Sequence, residues 1–195
     1  MKTLDFYFDF MSPFAYLAHH EIPALARSHD LELRLRVVDL PTLKRLAGNT
    51  GPRNVDIPPK IRYLKADLQR WAKRYGVPLV FPPSLASARL NRGFFFAVDR
   101  DAGADFVSTA WRMVWGEGRD MGDESLFGAI AAQMGWSRAD FLDYTDSAEA
   151  TERYERETEA AAARGVFGVP TMIVDDQMWW GNDRIDFLRE YLAAT

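Results

Sequence analysis

The opening stretch Met-Lys-Thr-Leu-Asp-Phe-Tyr-Phe-Asp-Phe-Met-Ser-Pro-Phe-Ala-Tyr-Leu constrains this chain more than any other. Leu4, Phe6, Phe8 and Phe10 alternate with Asp5, Tyr7 and Asp9, which is the period-2 pattern and aromatic enrichment of a strand. Ser12 is an N-cap type, and Pro13 suits the first helical position, where its missing N–H would be orphaned anyway. The strand is therefore expected to run straight into a helix at Ser12. A hydroxyl at such a junction sits beside backbone N–H groups and the positive end of a helix, where an anion is stabilised. A plain capping serine accounts for the same residues.

From there the apolar positions Phe14, Tyr16, Leu17, Ile22, Leu25 and Ala26 recur at helical spacing, and Leu31 to Leu40 alternates as a second strand. Strand, helix and strand with short links read as a βαβ unit with parallel strands. Pro41 to Pro59, with Gly48, Gly51, Pro52 and Pro58, is expected to be a loop whose polar groups include Asn49, Asn54 and, just beyond it, Lys60. Lys60 to Tyr75 follows as a helix stopped by Gly76. Residues 86–164 read as helical throughout, divided at Gly103, Gly116, Gly118, Gly122 and Gly135. Phe94 to Phe96, Trp111 and Trp115 in that region are sufficient to line a pocket, although aromatics at helical spacing are more often core. The strand pattern returns at 166–174, with a turn at Asp175-Asp176, a second strand at 177–180 and a closing helix capped by Asn182 or Asp183.

Function classes can be pruned from composition. A chain of 195 residues, 48% hydrophobic, can bury one full core, and its net charge of −4 with interspersed signs announces neither nucleic acid nor an anionic membrane. No apolar run reaches the roughly 18 residues that a membrane span needs, and no secretory leader opens the sequence, so cytosol is the expected compartment. Cysteine is absent, which excludes disulfides, thiolate metal sites and any thiol nucleophile of the protein's own. His19, His20 and His29 are the three histidines and do not form a separated ligand set, so no metal site is expected.

The segments Phe8-Asp9-Phe10-Met11-Ser12-Pro13-Phe14-Ala15-Tyr16-Leu17, Gly48-Asn49, Pro58-Pro59-Lys60, Gly165-Val166-Phe167-Gly168-Val169-Pro170-Thr171 and Trp180-Gly181-Asn182-Asp183-Arg184 occur in that order across nearly the whole chain. In this the sequence resembles the kappa-class glutathione transferases and especially the bacterial 2-hydroxychromene-2-carboxylate isomerases of the DsbA-like group. The resemblance implies an α/β, thioredoxin-like (DsbA-like) fold with an inserted all-helical domain, the first part being 1–80 with 165–195 and the insertion 81–164. It implies a cis peptide at Val169-Pro170 and a catalytic Ser12. It also implies a glutathione cofactor held by Asn49 (or Asn54), Lys60, Val169, Pro170, Asn182 and Asp183.

The activity implied is glutathione-dependent isomerisation between 2-hydroxychromene-2-carboxylate and trans-o-hydroxybenzylidenepyruvate, or a close aromatic analogue, in a cytoplasmic homodimer. Where dithiol oxidoreductases of this fold carry a Cys-containing motif, this chain has Met11-Ser12-Pro13-Phe14, so the reactive sulfur must come from the ligand. Two other readings are a kappa-like transferase that conjugates electrophiles and a glutathione or peptide binder without chemistry. Phe14, Arg62, Trp111 and Trp115 are the candidates for lining the organic substrate.

Overall fold

A computed structural model describes residues 2–194; Met1 and Thr195, at the ends of the expected domain boundaries, lie outside the described residues. The first strand, β1 (Thr3–Phe8), is followed by α1 (Pro13–His19), α2 (Ile22–Ser28) and β2 (Glu32–Val37). Next come α3 (Leu40–Leu46) and α4 (Pro58–Tyr75), then α5 (Ala88–Val98), α6 (Gly103–Trp111), α7 (Glu124–Met134), α8 (Arg138–Thr145) and α9 (Ala148–Ala163). The hairpin β3 (Thr171–Val174) and β4 (Gln177–Trp180) and the helix α10 (Ile185–Ala194) close the chain. The sheet order is β2-β1-β3-β4. β1 and β2 are parallel, from Thr3 opposite Glu32 to Phe8 opposite Val37, and β3 runs antiparallel to β1. The βαβ unit, the helical run and the hairpin with its closing helix are all present, as a thioredoxin-like fold requires.

Alternation along β1 divides the core. Leu4, Phe6 and Phe8 pack on one face in a cluster that also takes in α1, α10 and the buried aromatics of α5 and α6. Tyr7 points to the other face, with Val38, Leu43, Ala161, Val166, Val169 and Ile173. Asp5 lies on the same side as Tyr7. Its carboxylate accepts from Arg36 Nε at 3.0 Å and Arg164 Nη1 at 2.7 Å, and Arg164 also donates to the Tyr7 hydroxyl at 2.8 Å. Burial raises the Asp5 pKa, the two arginines outweigh it, and the net shift is downward.

Two elements differ from the sequence expectation. The single helix expected from Phe14 to Ala26 is two, because Pro23 lacks an N–H and its ring would clash with the preceding turn; instead Pro23 sits at the start of α2. The expected loop from Pro41 contains α3, started by Asp39, whose Oδ1 accepts from Thr42 N at 3.1 Å. The five helices from α5 to α9 fall close to their expected spans, with one addition: α6 runs on into a π-helical turn, Arg112–Gly116.

Candidate active site

The strand pairing brings two chain bends to the same end of the two central strands. Thr171, the first residue of β3, pairs with Tyr7 near the end of β1. The residues before Thr171 and those after Phe8 therefore emerge side by side, placing the Val169-Pro170 bend at the same end as Ser12. The Val169-Pro170 peptide is cis. Gly181 N donates to Pro170 O at 2.9 Å, and Thr171 Oγ1 donates to Gly168 O at 2.7 Å. These bonds hold the bend on both sides, while the N–H and C=O of Val169 have no hydrogen-bond partner among the described residues.

Ser12 caps α1 from an extended backbone conformation, with φ −93° and ψ 109°. Its N–H donates to Asp9 O at 2.9 Å and its Oγ accepts from Ala15 N at 3.2 Å. The hydroxyl proton has no acceptor among the described residues, so this cap keeps a donor to offer. Pro13 contributes no N–H, as expected for the first helical position.

The turn between β1 and α1 rests on a polar cluster that sequence reasoning missed. Asp9, 1% exposed, accepts at Oδ1 from Met11 N at 3.0 Å, Ser87 Oγ at 2.6 Å and Asn91 Nδ2 at 2.8 Å, and at Oδ2 from Leu40 N at 3.0 Å. Asn91 Oδ1 accepts from Phe10 N at 3.1 Å, and its Nδ2 also donates to the Tyr154 hydroxyl at 2.6 Å. Burial raises the Asp9 pKa; the hydrogen bonds from Ser87, Met11, Asn91 and Leu40 oppose it without cancelling it. The available signal was an aspartate between Phe8 and Phe10 at the end of an apolar strand, where a carboxylate needs partners.

The remaining candidates are distributed unevenly. Asp183 is exposed and paired with Arg184 at 2.7 Å, next to Gly181, whose φ of 104° would strain any residue with a Cβ. Asn182 faces inward at 3% exposure, beside the half-buried Tyr75, and its Nδ2 has no partner at hydrogen-bonding distance. Of this pair, only Asp183 offers its side chain to a ligand from solvent. Lys60 and Asn54 line one surface pocket of about 410 Å³ with Pro59, Tyr63 and Leu64. Asn49 is exposed outside that lining, its N–H donating to Lys44 O.

Among the substrate-pocket candidates, Phe14 is half-buried against the main core and Arg62 is exposed on α4. Trp111 and Trp115 are each 1% exposed and lie in the main core. Trp111 packs against Phe6, Phe8 and Phe10, and Trp115 Nε1 donates to Phe10 O at 2.7 Å. Aromatics at helical spacing have here gone to the core. Among the described residues no group of three or more His, Asp and Glu could hold a metal ion, and no helix is long and apolar enough to cross a membrane.

Comparison with known proteins agrees with this architecture. The family model of the DSBA-like thioredoxin domain matches residues 3–193. A 2-hydroxychromene-2-carboxylate isomerase from Pseudomonas putida is 47% identical over 97% of this chain and 94% of its own length. Glutathione S-transferase kappa 1 from Homo sapiens is 25% identical over 98% of this chain and 91% of its own length. The solved structure of a 2-hydroxychromene-2-carboxylate isomerase superposes with a TM-score of 0.94 at 45% identity, covering 98% of this chain and 95% of that one. The chain belongs to the DSBA-like thioredoxin family, among its 2-hydroxychromene-2-carboxylate isomerase relatives.

Proposed function

We propose that the protein is a glutathione-dependent isomerase of 2-hydroxychromene-2-carboxylate or a close aromatic analogue, with Ser12 as its catalytic residue. The observation that carries this reading is the juxtaposition, in a chain without cysteine, of a serine hydroxyl whose proton has no acceptor and a bend whose backbone groups are unpaired. Identity near 45% with relatives bearing the isomerase name over almost their full length supports the reaction class.

The residues present suit a tripeptide. Val169 offers one N–H and one C=O from a held bend, which is the pattern that pairs with an extended peptide as an added strand. The Asp183 carboxylate fits the ammonium end of glutathione, and Lys60 with Asn54 or Asn49 offers donors for carboxylate or carbonyl groups. Bound glutathione would supply a thiolate that adds to the conjugated carbon of the ring-opened substrate and leaves again once the resulting single bond has rotated, so nothing is consumed.

The work of the chain's own residues is orientation and charge stabilisation. Ser12 would donate a hydrogen bond to the glutathione sulfur, favouring the ionised form because a hydrogen bond to the charged state lowers a pKa. Val169 would hold the peptide by its backbone N–H and C=O. Phe14, next to Ser12 and half-buried, forms part of the wall that the aromatic substrate meets.

Isomerisation assayed on dialysed protein, with and without added glutathione, tests the reading. Turnover should require glutathione and leave its concentration unchanged. Turnover without it, or its consumption in adducts, contradicts the proposal; consumption would favour a transferase.

A further inference from the structure

We propose that Asp9 is a positioning residue for Ser12: with Asn91 it fixes the turn from Phe10 to Ser12 and so makes the aim of the Ser12 hydroxyl depend on how the helical segment docks on the sheet. The inference rests on the function proposed above. The side chains of this pair take two of the turn's backbone N–H groups, Phe10 N on Asn91 Oδ1 and Met11 N on Asp9 Oδ1, while Ser12 N closes the turn on the Asp9 backbone carbonyl.

The cluster reaches well beyond the turn. Asp9 gathers donors from three separate parts of the chain: its own turn, Leu40 at the start of α3, and Ser87 and Asn91 at the start of α5. Through Asn91 the network continues to Tyr154 on α9, whose hydroxyl donates to Val38 O at 3.2 Å. Among the described residues no cation pairs with Asp9, so the carboxylate is held by hydrogen bonds alone. A purely structural need for an apolar neighbour at this position would be met without burying an acid. Four donors converging on one buried carboxylate fix a backbone geometry that a looser contact would leave free. That geometry sets where the Ser12 hydroxyl points.

Asp9→Ala is the test, because it removes the side-chain acceptor of the Met11 N–H together with that of Ser87, Asn91 and Leu40. The readouts are the thiolate absorbance of glutathione bound at fixed pH, the glutathione Kd from calorimetry, and kcat. Removal of a nearby negative charge would by itself increase the thiolate fraction, so the sign separates the two effects. We expect the thiolate fraction to fall, kcat to drop about 10- to 100-fold for a sub-ångström to ångström misplacement, and Kd to stay within roughly twofold because Val169 and Asp183 are untouched. Asn91→Ala, which releases Phe10 N while leaving the carboxylate, should move the same readouts in the same direction. Folded variants with an unchanged or larger thiolate fraction overturn the proposal, and so does failure of both variants to fold, which would make the role structural only. Absence of a bound thiolate in the unmodified protein would instead sink the functional reading itself.

Discussion

His19 and Ser12 lie on the same short helix and carry opposite chemical burdens. The His19 ring packs on Trp111 with centroids 4.8 Å apart, and its Nε2 lies 3.1 Å from Ser108 Oγ. Burial first, and then the neighbouring His20, push the His19 pKa down from 6.5 to about 4. The unfolded chain therefore takes up a proton that the folded one refuses, and the stability involved is intact above pH 6.5 and lost as pH falls toward 4. His19→Phe keeps the ring packing and removes the titration. Between pH 7 and pH 4 its unfolding free energy should gain on that of the unmodified protein by roughly 1–3 kcal/mol in urea melts. Ser12→Ala removes the cap on Ala15 N and should cost about 1 kcal/mol by the same measurement, leaving the fold intact.

At the scale of elements, propensity and periodicity were informative wherever tertiary contacts agreed with them. β1 and β2, the hairpin with its turn at Asp175 and Asp176, and α4 to α9 were legible because apolar spacing and punctuating glycines pointed the same way. α3 was hidden because Pro41 looked like a breaker, yet Asp39 before it is an N-cap and proline is tolerated in a first turn. Asp39 N also makes a tertiary tie, donating to Thr158 Oγ1 on α9 at 2.9 Å. Asp39→Ala should cost about 1 kcal/mol and speed amide exchange over residues 40–46, read by hydrogen exchange with mass spectrometry. In the site, residue types marked Ser12 as a hydroxyl at a helix start, and the bend at Pro170 came from the family resemblance. The inward turn of Asn182 and the Asp9 cluster could not be read in either way, since each depends on contacts between segments tens of residues apart.

Across the whole molecule, one hydrophobic cluster joins the sheet to the helices between β2 and β3, with Trp111 in contact with three phenylalanines of the first ten residues. Trp111→Ala should cost about 3–5 kcal/mol, and unfolding followed by circular dichroism and by tryptophan fluorescence should give coincident transitions, since neither part keeps its core without the other. The same architecture brings the two bends, one with a free hydroxyl donor and one with unpaired backbone groups, to the same end of the central strands. Ultraviolet titration of the thiolate of bound glutathione, in the unmodified protein and in Ser12→Ala, tests this most directly. The thiolate pKa should lie below that of free glutathione and rise by about 1–2 units when the hydroxyl is removed, as befits one hydrogen bond to a charged group. An identical pKa in the two proteins would contradict the proposed role of Ser12.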